Sequence, residues 1–185
     1  MLQKIIQLLA DGFALLCVGR CLLQWGRMHA DHPAARFCQQ FTDWLVRPLS
    51  KVFKPIGRWN LACIIAPTAV YYLAFTVIIF ISLPGVAPTK SLLAVLCYTL
   101  IEMVKISAYL LFIGLFARMV LSFNNPNSKL LITLNNIFEP LLRPFVFLKI
   151  GRYDFSGSIL VLVLWIWLVT FSPNLIQKLD LWLLS

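Results

Sequence analysis

Residues 47–60 read Arg47-Pro48-Leu49-Ser50-Lys51-Val52-Phe53-Lys54-Pro55-Ile56-Gly57-Arg58-Trp59-Asn60, and residues 143–154 read Arg143-Pro144-Phe145-Val146-Phe147-Leu148-Lys149-Ile150-Gly151-Arg152-Tyr153-Asp154. Both stretches run from Arg-Pro to Gly-Arg-aromatic-Asn/Asp, and both lead straight into a long apolar segment. A pattern that recurs within one chain sets the architecture before any single residue does. Here it predicts two copies of one unit, residues 1–83 and residues 91–185.

Composition says what kind of unit this is. Of 185 residues, 61% are hydrophobic and only 12% charged, and the mean hydropathy is +0.86. A soluble domain is about 45–50% apolar and about 25% charged, so the chain reads as an integral membrane protein. Four segments approach or exceed the roughly 20 residues that a membrane-crossing helix needs: residues 2–24, 60–83, 91–121 and 158–181. Nothing near Met1 resembles a removable signal peptide, so residues 2–24 are expected to remain as a span. Pro67 and Pro173 fall inside the second and fourth spans and are expected to kink them.

The cations orient these spans. The loop near 25–59 holds Arg27, Arg36, Arg47, Lys51, Lys54 and Arg58, and the loop near 122–157 holds Lys129, Arg143, Lys149 and Arg152. The short middle connection, Pro84–Lys90, has Lys90 alone. Ten cations against one put both long loops in the cytoplasm and both termini outside, which makes the two halves parallel repeats. In a soluble protein the net charge of +9 would suggest a nucleic-acid partner. Placed at the inner face of a membrane, it suggests anionic lipid headgroups instead.

Each long loop carries an apolar stripe at helical spacing. In residues 31–55 it is Phe37, Phe41, Trp44, Leu45, Leu49 and Val52. In residues 127–148 it is Leu130, Leu131, Leu134, Ile137, Phe138, Leu141 and Leu142. Three or four turns are too few to span, so both read as amphipathic helices lying in the inner interface, with a re-entrant dip as the competing geometry. Pro48, Pro140 and Pro144 are expected to end or bend them.

Several polar residues have local jobs. Gly57 and Gly151 suit a turn, Trp59 and Tyr153 the headgroup level, and Asn60 and Asp154 the N-caps of the second and fourth spans, with Ser156 as an alternative cap. Arg20 and Arg118 occupy equivalent places near the cytoplasmic ends of the first and third spans, where each can snorkel to phosphate. Counting outward from them, Asp11 lies about 13 Å from Arg20, and Lys105 and Glu102 lie about 20 and 24 Å from Arg118. Ionisable groups at such depths are expensive and raise a functional question by default. The structural answer is pairing: Glu102 with Lys105 at i, i+3, or Asp11 with Lys105 and Lys4 with Glu102 across the two halves. The functional answer is a polar path for ions through Asp11, Glu102 and Lys105.

Cofactor chemistry has little footing. Cys17, Cys21, Cys38, Cys63 and Cys97 form no Cys-x-x-Cys and are odd in number, which reads as structural thiols. His29 and His32 have no Cys or carboxylate at ligand spacing. Neither a catalytic triad order, a phosphate loop nor a metalloprotease helix motif is present. No catalytic residue, metal or cofactor is therefore expected.

Three stretches of the second half carry a family likeness: Arg118-Met-Val-Leu-Ser122-Phe-Asn-Asn125-Pro126, then Phe138-Glu139-Pro140-Leu-Leu-Arg143-Pro144, then Gly151-Arg152-Tyr153-Asp154-Phe155-Ser156. This resembles the YggT family of small membrane proteins, whose unit has an Arg-x-x-x-Ser stretch, an Asn-Pro, a Thr-Glu-Pro and a late Asp-Phe-Ser-Pro. Phe138 stands where Thr is usual and Gly157 where Pro is usual. The first half departs further, with Arg20, Gln24 and Pro33 in the opening and Thr42-Asp43-Trp44 in place of Thr-Glu-Pro. The resemblance implies a bacterial inner-membrane protein without established enzyme activity, its relatives being linked to osmotic or ion tolerance, envelope organisation and membrane-complex assembly. The expectation is thus an all-α protein of four transmembrane helices in two parallel repeats, serving as a scaffold with a membrane-protein partner or as a homo-oligomer. A transport role is the alternative.

Overall fold

Runs of Leu, Ile, Val, Ala and Phe without interior glycine clusters leave the backbone one way to satisfy its own hydrogen bonds in an apolar setting, which is the helix. The computed structural model describes residues 1–26, 32–53, 60–82, 88–124, 129–143, 149–150, 153–154 and 156–184. In chain order the elements are α1 (Leu2–Trp25), α2 (Pro33–Val52), α3 (Ala62–Ser82), α4 (Pro88–Asn124), α5 (Lys129–Leu142), the antiparallel pair β1 (Lys149–Ile150) and β2 (Tyr153–Asp154), α6 (Ser156–Ile166), a π-helical turn (Trp167–Phe171) and α7 (Ser172–Leu184). Four stretches are long and apolar enough to cross a membrane: Leu2–Trp25, Ala62–Ile81, Thr89–Ser122 and Gly157–Leu181. The chain is a multi-pass membrane protein built of helices.

The described prolines do not end their helices. α2 continues a full turn past Pro48, and α5 runs through Pro140. Both sit near a C-terminus, where a lost backbone bond matters least. α3 runs through Pro67. In the fourth span the adjustment lies just before Pro173: the Ser172 N–H reaches the Trp167 carbonyl, five residues back, and the wide turn absorbs the break. Pro144 lies outside the described residues.

α1, α3 and α4 pack on one another around a core of Ala10, Ala14, Tyr71, Phe75, Ile79, Ala94, Val95, Tyr98 and Ile106. Small residues on α1 let the backbones approach closely, which is how membrane helices associate where lipid is as apolar as leucine. α2 closes one end of this bundle, laying Val46 against Cys17, Cys21, Cys63 and Ala66. α5 lies at the same end, its Leu134, Ile137 and Phe138 packed on Leu115. The fourth span is peripheral and leans on α4.

Helix starts follow local chemistry. The Asn60 side chain accepts the N–H of Ala62, as the N-cap expectation required, and His32 Nδ1 accepts from Ala34 at the head of α2. Ser156 opens α6, while Asp154 sits in β2 opposite Lys149.

Candidate functional site

Two polar constellations interrupt the apolar interior. The first lies deep in the bundle. Glu102 and Lys105 fall one turn apart on α4, and their side chains meet at 2.5 Å. Glu102 is 2% exposed and Lys105 15%. Gln7 on α1 donates to Glu102 at 3.3 Å. One turn further along α1, Asp11 accepts the hydroxyl of Tyr71, a fully buried residue of α3, at 2.6 Å. Three helices therefore share one largely buried cluster of two carboxylates, one ammonium, one amide and one phenol, with Glu102 and Tyr71 at its centre.

This corrects the pairing between halves expected from depth alone. Lys105 stays with Glu102 on its own helix, Asp11 takes a phenol, and it is Gln7 that reaches Glu102 across the helix boundary. Depth measured along the helices ignored which way each residue faces, and Lys4 faces outward. A ladder of rings continues from Tyr71. It stacks on Phe75 (centroids 6.0 Å, planes 19° apart), and Phe75 stacks on Tyr98 (5.4 Å, 24°). The Tyr98 hydroxyl donates to Asp180 on α7. Gln7, Tyr71, Tyr98 and Asp180 were missed as partners. The signal available was the i, i+4 spacing of Tyr71 and Phe75, together with hydroxyls placed inside otherwise apolar spans.

The second constellation fixes α2. Arg20, 12% exposed, turns inward, and its Nη1 donates to Asp43 Oδ1 at 2.7 Å and to Thr42 Oγ1 at 3.0 Å. Thr42 is fully buried and donates to the Cys38 carbonyl at 2.7 Å. Asp43 also takes Arg47 at 2.9 Å. Burial holds the neighbouring Cys38 thiol above its ordinary pKa, with Arg20 pulling the other way. The expectation that Arg20 snorkels to phosphate is replaced by an ion pair between α1 and α2. With this end pinned, Phe37, Phe41 and Trp44 stand exposed on α2, the first two in ring contact at 4.9 Å.

The second half holds a looser counterpart. Arg118 donates from Nε to Asn135 at 2.6 Å, and Glu139 meets Arg143 at 3.7 Å on the surface. Ser122 is exposed and Pro140 lies within α5. Asn125, Pro126 and Gly151 lie outside the described residues, as do His29, Gly57 and Trp59. Among the described residues no group of three or more His, Cys, Asp or Glu side chains is placed to hold a metal ion.

The Arg20–Asp43 contact joins two points at which the first half keeps something of the family pattern, and residues 1–82, which include both, match the CCB3/YggT family model. Over that stretch the chain is similar to the CCB3/YggT family. No curated protein and no solved structure gives a significant match. The matched segment covers α1, α2 and α3, the half whose motif residues depart further from the pattern. The half that carries the fuller motif lies outside it.

Proposed function

We propose that this protein, whose first half is similar to the CCB3/YggT family, is a non-enzymatic scaffold or assembly factor of the bacterial inner membrane, presenting α2 and α5 at the cytoplasmic face as a basic, aromatic platform. The observation that carries this reading is the double clamp on Asp43. Arg20 and Arg47 hold α2 against the bundle while Phe37, Phe41 and Trp44 stay uncovered. Aromatic rings and arginines on one short helix suit the headgroup layer, where each cation near anionic lipid is worth about 1 kcal/mol. The same rings are the usual anchors of a protein interface.

Parallel repeats agree with the pairs Asp43–Arg47 and Glu139–Arg143, which have the same spacing and each precede a proline. Both halves then point their cations inward. The test is affinity purification of the tagged chain from native membranes in mild detergent. A stoichiometric partner that is lost on deleting residues 127–148, or on changing Phe37, Phe41 and Trp44 together to serine, supports the platform. Absence of any partner, with no phenotype from either change, overturns it.

One observation favours a second reading, transport. Within the bundle, Asp11 and Glu102 bring two carboxylates against the single ammonium of Lys105. A conducting path would need that imbalance. Lys105→Ala in liposomes should then alter ion flux, whereas a purely structural cluster would lose thermal stability and leave flux unchanged.

A further inference from the structure

The fourth span is the least covered of the four. Of the residues in its most apolar stretch 11% are buried, against 22% to 28% in the other three. One side, with Gly157, Leu168 and Ser172 buried, packs toward α4. On the opposite side Val163, Ile166, Thr170, Asn174, Gln177 and Leu181 follow one another at helical spacing and are all exposed. Exposed valine and leucine are what lipid expects. Thr170 and Asn174 are not, for they sit about 20 and 26 Å along a span that begins at Gly157, inside a hydrocarbon layer about 30 Å thick.

An asparagine facing lipid lacks water to satisfy its amide, and such residues in membranes pair across helices. Asn174 meets part of its need locally, donating from Nδ2 to the Thr170 carbonyl at 2.8 Å. Among the described residues its Oδ1 has no partner, and the second Nδ2 hydrogen is likewise uncommitted. The backbone is already irregular here. The π-helical turn ends at Phe171, and Pro173 brings no N–H to the carbonyls one turn back.

We propose that this face of the fourth span, centred on Asn174 with Thr170 beside it, is the contact between two copies of this chain in the membrane. The partner is a second copy because the free group pair is self-complementary. About a two-fold axis, the free N–H of one Asn174 meets the Oδ1 of the other, and the reverse, so both are satisfied at once. The face carries no charge from Val163 through Gln177, and Lys178, exposed one turn past Asn174, flanks its outer end. Val163 and Ile166 below and Leu181 above extend the contact with apolar surface. The inference is independent of the cytoplasmic platform and shares with it only the placement of the spans in a bilayer.

The test uses the full chain in native membranes, with lipid-facing Cys97 replaced by alanine. Cysteine is introduced as Thr170→Cys on the proposed face, or as Val169→Cys, which is exposed at the same depth but points about 100° away around the helix. Oxidation should join two Thr170→Cys chains and leave Val169→Cys chains single, and adding Asn174→Leu should weaken the Thr170→Cys dimer by roughly tenfold. Equal joining at both positions, no joining at Thr170→Cys, or joining that survives Asn174→Leu unchanged overturns the proposal. Joining to a different protein overturns self-pairing and leaves the platform reading untouched.

Discussion

Asp11 on α1 accepts the Tyr71 hydroxyl of α3 at 2.6 Å, and the same tyrosine begins a ring ladder through Phe75 to Tyr98. The contact ties the first and third helices of the chain's first half at a depth where water cannot substitute. Hydrogen bonds between membrane helices average about 0.6 kcal/mol and reach about 1.7. A half-buried carboxylate that loses its donor, a fully buried phenol, belongs at the upper end.

Tyr71→Phe should therefore lower stability by about 1–2 kcal/mol, read as a fall in the midpoint of thermal unfolding in detergent. Asp11→Asn should lower it less, because a neutral amide needs the phenol less. Combining the two should add little beyond Tyr71→Phe alone, since both remove the same contact. Additive losses would mean that Asp11 and Tyr71 act separately.

Asp43 has two arginine partners of different standing. Arg20 is 12% exposed and Arg47 75%. Asp43→Ala strands a largely buried guanidinium and should cost about 3 kcal/mol, while Arg47→Ala removes a solvent-screened partner and should stay within about 0.5 kcal/mol. Hydrogen exchange across Pro33–Val52 reads the difference. It should accelerate strongly in Asp43→Ala and hardly at all in Arg47→Ala.

Glu102 is the more deeply buried member of its pair with Lys105. Lys105→Met leaves that carboxylate with the Gln7 amide alone and should cost about 3 kcal/mol. Pairing it with Glu102→Gln removes both charges and keeps a hydrogen-bonding group opposite Gln7. The double variant should recover most of the loss in the same unfolding measurement. Failure to recover would show that the ammonium has a further partner.

Much of this architecture could be read from the chain before any coordinates. The four spans emerge within three residues of their expected ends, because a run of apolar residues bounded by Gly, Pro and charge has few alternatives in a bilayer. Asn60 caps α3 as its type and position required. The charged residues of the interior were identified, and Glu102 with Lys105 was one of the two pairings expected, but the partners across helices, Gln7 and Tyr71, were not. Sequence distance gives height along a helix, while pairing also depends on rotation, and the facing of Asp11 toward Tyr71 rather than Lys105 is set by how α1 rolls on α3. Arg20 misled for a related reason: its place near a span end permits snorkelling, and only the folded position of α2 brings Asp43 within reach. The wide turn before Pro173 has no signal beyond the proline itself.

The docking of α5 rests on a glycine. Gly114 on α4 faces Phe138, the residue that stands where the family pattern has Thr. A Cβ added at Gly114 would lie 2.8 Å from Phe138 Cζ and 3.0 Å from Cε2. Phe138 is 1% exposed among Leu115, Leu134 and Ile137, so its ring has little room to yield. Gly114→Ala should favour α4 as a helix by about 1 kcal/mol and lose more than that by pushing the ring, and α5 with it, off the bundle. The net effect should be a destabilisation of about 1–2 kcal/mol, with faster hydrogen exchange confined to Lys129–Leu142. Phe138→Leu alone opens a cavity and is also unfavourable. The two together should be more stable than the sum of their separate losses allows, because the smaller side chain vacates the space that the new methyl needs. Strict additivity would place the clash elsewhere and remove Phe138 from its role as the anchor of α5.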